Sequence, residues 1–350
     1  MEDLCNELIY EIFEYLDHFH VYEAFFHLNI RFRYLLTHSN SPIKIDLSSL
    51  SKSAWKRYHA DLIENNMDRI TTLRVCNPCM YDAVLSSLKK LLPFNRIENL
   101  IVNNIECFRL DNLLSQLSSS SSLSSLVITT VDNIQDKAKI YQKIFRLPAL
   151  KYCKLSLSGW RSGSSLPNSG DECSPIEYLI ITNSIYMHEL DSLLSYVPQL
   201  RRLSLYLSES NSNMQTQGYS FVSNQLTHID LRIEYVQFGA FAELVKKFPT
   251  TIEVMCLTLT GYIRSEPTYT DANKWEQLIA SYLPKLRIFD IQCDFSIYTD
   301  NFLLNMEEQL NRFLTPFWIT RQWFFAYRSS SNNNGKHVLF YSTNLYRYCR

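Results

Sequence analysis

One apolar pattern recurs along most of the chain and constrains its fold more than any other feature. An apolar residue is followed by two variable residues, a second apolar residue, one variable residue and a third apolar residue. Nine copies begin 24 to 34 residues apart, and six of the eight spacings are 26 or 27 residues. The copies are Ile70-Leu73-Val75, Ile97-Leu100-Val102, Leu123-Leu126-Ile128, Leu150-Cys153-Leu155, Ile176-Leu179-Ile181, Leu200-Leu203-Leu205, Leu226-Ile229-Leu231, Ile252-Met255-Leu257 and Leu286-Phe289-Ile291. A weaker strand at Ile45-Leu47 precedes them.

Each copy predicts a β-strand, because apolar residues two apart lie on one face of a strand. Helical apolar spacing lies between several copies, at Met80–Leu92, Gln135–Leu147, Met187–Val197, Val236–Phe248 and Ala272–Leu283. Proline follows these helices and ends them, at Pro93, Pro148, Pro198, Pro249 and Pro284. Strand, helix, proline and strand form a parallel-sheet unit with right-handed crossovers. A unit of about 26 residues is too small to bury its own core, so we expect the units to stack.

Residues 42–315 resemble the leucine-rich-repeat family in its longer, helix-bearing form. The resemblance implies an α/β solenoid with a parallel sheet on the concave side and helices on the convex side. Two helices are replaced by polar loops, at Ser158–Ser174 and Ser208–Gln225. The position eight residues after the first apolar residue, where the family carries Asn or Cys, holds Pro78, Ile105, Ser158, Ser184, Ser208 or Glu234. The alternative is an ordinary α/β domain with Leu-rich strands.

Residues 1–36 lie outside the repeat and show helical spacing. One apolar face carries Leu8, Ile12, Tyr15 and Leu16, and Asn6 is the expected N-cap. Two more short helices are expected near Tyr22–His27 and Ile30–Thr37. Three such helices are too few to form a stable core alone, so their remaining apolar surface must meet the repeats or another protein.

The stretch Leu4 to Asp17 is similar to the opening of the F-box, and the similarity resumes at Leu28 to Leu35. Cys5 stands where the family has Pro, Asn29 lies near its frequent Cys, and Phe32 stands where Trp is usual. The resemblance implies docking to a Skp-family adaptor, which would link the chain to a cullin-based ubiquitin ligase. The implied adaptor-binding residues are Leu4, Cys5, Leu8, Ile9, Ile12, Phe13, Leu16, Leu28 and Phe32. The alternative is that the helices only cap the solenoid.

The C-terminal region from Pro316 to Arg350 changes character again. Aromatic residues from Trp318 to Tyr327 and the apolar run Val338–Tyr341 flank the polar stretch Ser329–Gly335. Two apolar runs joined by a Ser/Asn/Gly turn predict an antiparallel hairpin, which would cap the last repeat. We therefore expect three segments: an F-box-like segment (1–40), a solenoid (41–315) and a hairpin cap (316–350). Stacking of the aromatic residues on single-stranded nucleic acid is the alternative.

The residues between the inward-pointing positions of the strands point to the opposite, concave face. Because Tyr and Arg are common at interface hot spots, this face is the candidate target-binding surface. The alternative is that these are ordinary solvated strand positions. The predicted target-binding residues are Tyr152, Lys154, Tyr178, Arg202, Tyr206, His228, Asp230 and Arg232.

Composition excludes several classes of function. The net charge is −1, so the basic excess that nucleic-acid binders use is absent. No apolar run reaches the length of a membrane span, and Met-Glu-Asp at the start lacks the basic region of a secretory signal. Nine cysteines without regular spacing favour reduced thiols in the cytoplasm or nucleus.

No pattern of catalytic or cofactor-binding residues emerges. Cys76 and Cys79 form a lone CxxC, whereas a structural zinc site needs four ligands. His18, His20 and His27 lack partners at ligand spacing, and His228 and Asp230 share a strand face without a nucleophile. We therefore expect no metal, no cofactor and no enzymatic activity. The leading function is a substrate-receptor subunit of a cullin-based ligase, and the alternative is a repeat-based interaction scaffold without a ligase role.

Overall fold

The computed structural model describes residues 3–82, 86, 96–118, 120–159, 166–167, 169, 173–208, 225–260, 268–297, 301–332 and 335–343. The chain divides into two compact units, Met1–Ser165 (unit one) and Leu166–Arg350 (unit two). The boundary falls inside the polar stretch Ser158–Ser174, where no segment boundary was expected. Both units have an α/β fold in which the strands are mostly parallel.

Unit one begins with the three short helices expected from the sequence: α1 (Asn6–Glu14), α2 (His18–Phe25) and α3 (Ile30–His38). Asp17 caps α2 by accepting from the backbone N–H of Phe19, and Asn29 caps α3 in the same way. The expectation that Asn6 would be the N-cap of α1 was wrong. Cys5 occupies the N-cap position and its side chain makes no capping hydrogen bond, whereas Oδ1 of Asn6 accepts from Arg31 at 2.8 Å.

The sheet of unit one has five parallel strands in chain order: β1 (Ile43–Asp46), β2 (Ile70–Val75), β3 (Asn99–Ile105), β4 (Ser125–Thr130) and β5 (Tyr152–Ser156). Among the described residues, the longer helices between these strands are α4 (Lys52–Tyr58), continued by His59–Ile63 and Glu64–Arg69, α5 (Cys107–Leu117) and α6 (Lys137–Phe145). The middle residues of the repeats pair directly, in the order Ile45, Leu73, Leu100, Leu126 and Cys153.

Unit two continues the pattern with five parallel strands: β6 (Tyr178–Tyr186), β7 (Arg202–Ser208), β8 (His228–Glu234), β9 (Val254–Thr260) and β10 (Ile288–Ile297). Its helices are α7 (Leu190–Ser195), α8 (Phe238–Val245), α9 (Ala272–Tyr282), α10 (Asn301–Asn311) and α11 (Pro316–Thr320). The middle residues again pair in order: Leu179, Leu203, Ile229, Met255 and Phe289.

The repeated triplets form the core of each unit. Every residue of the nine triplets is buried, none of them more than 6% exposed. In unit two a fourth inward residue extends β7, β8 and β9: Leu207, Ile233 and Leu259, all buried. The predicted strands are therefore confirmed, and equivalent residues of successive repeats pair across the sheet.

Some predicted elements differ from the observed ones. Helix α5 was not predicted, although Leu110, Leu113, Leu114 and Leu117 line its buried face. Most of the predicted helix Met80–Leu92 and most of the two polar loops lie outside the described residues. None of the described helices is long and apolar enough to span a membrane.

The end of unit two contains the predicted hairpin, formed by β11 (Phe325–Asn332) and β12 (Gly335–Ser342). β12 pairs antiparallel with β10 as well, so it covers the edge of the last parallel strand. Two expectations were wrong: Ser329–Asn332 belong to β11 rather than to the turn, and Trp318 lies in α11. Trp318 and Trp323 are buried beneath the hairpin, close to Phe289.

Candidate functional site

Helix α1 uses only part of its apolar surface for the core of unit one. Ile9 is completely buried against Phe32 and Leu35, and the ring of Phe13 lies 5.2 Å from that of Phe25. Ile9 and Phe32 were predicted to contact an adaptor. Because a fully buried side chain is out of reach of a partner, we remove both from the predicted adaptor-binding set.

The remaining apolar face of α1 is open to solvent. Leu8 and Leu16 are each 45% exposed, Tyr15 is 90% exposed, and Ile12 is half-buried. Leu8 and Ile12 lie about 40° apart on α1, and Tyr15 and Leu16 follow directly after its last residue. We call these four side chains the apolar arc of α1. The apolar surface of α1 is thus wider than its packing within unit one requires.

The α2–α3 segment adds more exposed apolar surface. Leu28 is 58% exposed, Ile30 85% and Tyr34 59%. Within the described residues, six of the twelve exposed large hydrophobic side chains lie between Leu8 and Tyr34. The N-terminal helices therefore expose more large apolar side chains than any other stretch of similar length among the described residues.

The other predicted adaptor-binding residues are distributed along this region. Leu4 is half-buried against the Ile9, Phe32 and Leu35 cluster, and Cys5 is exposed beside it. Sequence reasoning left Ile30 and Tyr34 out of the set. The sequence contained the signal, because Phe32, Leu35 and Leu36 have helical spacing. These are the buried residues of α3, and residues 30 and 34 lie on its outer side. We define the F-box-like surface as Leu8, Ile12, Tyr15, Leu16, Leu28, Ile30 and Tyr34.

Helices α2 and α3 are anchored to the first repeat by polar contacts. Nδ1 of His18 lies 2.6 Å from the hydroxyl of Tyr58, and the hydroxyl of Tyr22 donates to Asp61 at 2.6 Å. Arg69 donates to the backbone carbonyl of Leu36 at 3.0 Å. Burial, with a smaller contribution from the nearby Arg69, lowers the pKa of His18 to about 4. The anchoring holds α2 and α3 in place while α1 presents its open face.

In unit one, the predicted target-binding residues lie on the polar face of β5. Tyr152 pairs in register with Ser125 and is half-buried, whereas Lys154 pairs with Val127 and is exposed. Asp46 and Arg74 lie in register on β1 and β2, with 3.6 Å between Oδ2 and Nη1. The polar face of this sheet therefore carries charged side chains of both signs.

In unit two, two tyrosines and two arginines meet across neighbouring strands. Tyr178 and Arg202 are register partners, and the guanidinium carbon of Arg202 lies 5.6 Å from the ring centre of Tyr178. Tyr206 and Arg232 are likewise partners, at 5.0 Å. Each pair has the geometry of a cation–π contact, which holds the guanidinium over the ring.

Carboxylates of the same face accept from neutral hydroxyl groups. Oγ of Ser204 donates to Asp230 at 3.5 Å, and the hydroxyl of Tyr206 donates to Glu234. Burial, and then this bond and the charge of Glu234, raise the pKa of Tyr206 to about 12. Glu234 was missing from the predicted set, because its partner is set by strand register rather than by local sequence.

The cysteine and histidine residues considered for metal binding or catalysis contact neighbouring polar side chains. Sγ of Cys76 accepts from Asn103 at 3.2 Å, and the side chain of Cys79 lies outside the described residues. Nδ1 of His228 lies 2.8 Å from Oγ1 of Thr227. Among the described residues, no group of three or more His, Cys, Asp or Glu side chains could hold a metal ion.

No protein-family model matches the chain, and no curated protein matches it in sequence. The F-box and leucine-rich-repeat resemblances therefore rest on the residues named above and on their arrangement.

Proposed function

We propose that the chain is the substrate-recognition subunit of a cullin-based ubiquitin ligase. In this proposal the F-box-like surface docks to a Skp-family adaptor, and the polar sheet face binds the target protein. The single observation that carries the proposal is the open apolar arc of α1, Leu8, Ile12, Tyr15 and Leu16. Fully burying a side chain of this kind stabilises a complex by roughly 1.5–3 kcal/mol, so the arc could supply a substantial part of an interface.

We further propose that each unit consists of leucine-rich-repeat-type coils. The proposal is supported by the direct pairing of equivalent residues, such as Leu73 with Leu100 and Leu203 with Ile229. Equivalent residues pair in this way when each repeat adds one strand to the same sheet. In a coil of this family the polar face of the strands is the concave face, which is the usual place for a partner.

An interaction scaffold without a ligase role is the alternative. The bonds of His18 to Tyr58 and of Arg69 to Leu36 favour it, because they attach α2 and α3 to the first repeat as a cap would be attached. A cap alone leaves no role for the apolar arc of α1. The two functions therefore differ in whether that arc is covered by an adaptor.

Co-expression with a Skp-family adaptor tests the proposal. The unmodified chain is expected to co-purify with the adaptor, and Leu8→Asp combined with Ile12→Asp is expected to abolish the complex, since two carboxylates would be buried without partners. The matched control is Glu14→Lys, an exposed change on the opposite side of α1 that should leave the complex intact. Absence of a complex with the unmodified chain would rule out the ligase role.

A further inference from the structure

The two ends of the chain carry opposite charges. Residues 1–17 contain six carboxylates and no Lys, Arg or His: Glu2, Asp3, Glu7, Glu11, Glu14 and Asp17. Residues 309–350 contain six Lys or Arg residues and no Asp or Glu: Arg312, Arg321, Arg328, Lys336, Arg347 and Arg350. The net charge of the whole chain is only −1, because the two ends cancel. Opposite charges on two surfaces favour contact between them.

Exposed apolar side chains are concentrated in the same two regions. Among the described residues, nine of the twelve exposed large hydrophobic side chains lie either between Leu8 and Tyr34 or between Leu314 and Phe324. The second group is Leu314, Ile319 and Phe324, which lie within helix α11 or close to it in the chain. Each region therefore combines charge of one sign with apolar side chains that gain free energy when they are covered.

The charged side chains of the two regions are exposed and available to a partner. Glu7 and Glu11 are exposed on α1, and neither forms an ion pair within the described part of the chain. Arg321 and Arg328 are exposed too, and their guanidinium groups lie over aromatic rings rather than beside a carboxylate of the described residues. A guanidinium in this position keeps N–H donors for a carboxylate of another molecule.

The two regions have the same layout with opposite charge. On α1, Glu11 lies about 60° from Leu8 around the helix axis, so a carboxylate borders the apolar arc. At the other end, Arg321 lies between Ile319 and Phe324 in the chain. Two such surfaces can cover each other's apolar side chains while their charged groups pair. We define the C-terminal surface as Leu314, Ile319, Arg321, Phe324 and Arg328.

We propose that the F-box-like surface of one molecule binds the C-terminal surface of a second copy of this chain. The contact joins two different surfaces, so the assembly can grow beyond two copies. Contact between two F-box-like surfaces, or between two C-terminal surfaces, would instead bring like charges together. The inference goes beyond the proposed function, because it gives the F-box-like surface a second partner that competes with the adaptor.

Sedimentation velocity of the full chain without any adaptor tests the inference. We expect the average mass to rise with protein concentration, to dimers and larger species. Association should weaken about tenfold between about 0.05 M and 0.5 M salt, because salt screens exposed charges. Glu7→Lys combined with Glu11→Lys should stay monomeric, and so should Arg321→Glu combined with Arg328→Glu. An equimolar mixture of these two charge-reversed variants should associate again, because each surface then meets one of opposite charge.

Two further variants separate the apolar contact from a general effect of charge. Leu314→Asp combined with Ile319→Asp should abolish association, because carboxylates would be covered without partners and would face those of α1. The matched control is Arg202→Glu, an exposed charge reversal on the sheet face of unit two that should leave association unchanged. Circular dichroism of each variant verifies that the fold is retained.

Three results would overturn the inference: a monomer at every concentration, a mixture of the charge-reversed variants that stays monomeric, or equal loss of association in Arg202→Glu. Association that the Arg321→Glu and Arg328→Glu variant retains would indicate contact between two F-box-like surfaces, and would overturn it as well.

Addition of the adaptor links this test to the proposed function without merging the two. Excess Skp-family adaptor should dissociate the assembly, since both partners cover the same side chains. An adaptor that binds while the assembly stays intact would overturn the assignment to the F-box-like surface. If the adaptor does not bind at all, the proposed function fails, whereas self-association of the chain alone is still measured.

Discussion

His18 and Tyr58 are 40 residues apart in sequence and lie 2.6 Å apart between Nδ1 and the phenolic oxygen. The contact joins α2 to α4, the helix that follows the first strand. The ring of Tyr58 also lies 5.0 Å from that of Tyr22 and 5.5 Å from that of Phe19. The attachment of α2 to the first repeat therefore combines polar contacts with contacts between aromatic rings.

This histidine predicts acid sensitivity of unit one. Its pKa is about 4 in the folded chain and 6.5 ordinarily, so the unfolded chain takes up a proton between these values that the folded chain does not. Its contribution to stability is therefore complete above pH 6.5 and is lost as the pH falls toward 4, by at most about 3 kcal/mol. Urea unfolding of the unmodified chain and of His18→Gln, measured from pH 7 to pH 4.5, checks this. The pH slope should be shallower in the variant, and equal slopes in the two proteins would contradict the account.

Adjacent residues of α1 should differ sharply in their effect on stability. Ile9 is completely buried, so Ile9→Ala is expected to lower the free energy of unfolding by about 2–5 kcal/mol. Leu8 is 45% exposed, so Leu8→Ala is expected to cost about 0.5 kcal/mol or less. Chemical denaturation of both variants measures the difference. Equal losses would mean that Leu8 belongs to the core and is not available to an adaptor.

Substitutions on the polar sheet face of unit two should weaken target binding with little effect on stability. Removing Tyr178 and Arg202 together eliminates one cation–π pair between an exposed arginine and a half-buried tyrosine, and an exposed pair of this kind is worth about 0.5–1 kcal/mol. We expect the thermal unfolding curve of Tyr178→Ala combined with Arg202→Ala to stay close to that of the unmodified chain, while capture of a target weakens. A fall in the melting temperature as large as that of a core substitution would make the pair structural.

The hairpin is expected to stabilise the end of unit two through one buried polar contact. The hydroxyl of Ser342 on β12 donates to Asp290 on β10, whose side chain is 1% exposed. Ser342→Ala removes a donor to a buried carboxylate and should cost about 1.5–3 kcal/mol in urea unfolding. Thr343→Ala is the matched control, because its exposed hydroxyl only reaches the carbonyl of Phe324. An equal effect of the two substitutions would contradict the account.

The sequence was sufficient to predict the strands and their order. Leu73, Leu100 and Leu126 occupy the same position in successive repeats, and they are register partners on neighbouring strands. The repeat in the sequence therefore predicts which residues pair in the sheet. The hairpin was also predictable, but its boundaries were not. The polar composition of Ser329 to Asn332 predicts a turn. These residues are nevertheless strand residues, because they pair with β12.

The candidate sites were less predictable, because burial depends on tertiary packing. Leu8 and Ile9 are adjacent and similar in hydrophobicity, and only the position of Phe32 and Leu35 decides that Ile9 is the buried one. The surroundings of Arg202 likewise follow from register, which places it beside Tyr178, whereas its neighbour Arg201 pairs with Glu177. Neither distinction can be read from residue type.

Hydrogen exchange of the chain with and without a Skp-family adaptor tests the central claim most directly. Docking through the F-box-like surface predicts slower backbone exchange in residues 5–16 and 28–34 when the adaptor is added, with unit two unchanged. The Leu8→Asp and Ile12→Asp variant should show no such slowing. Unchanged exchange of residues 5–16 in the unmodified chain at saturating adaptor would contradict the claim.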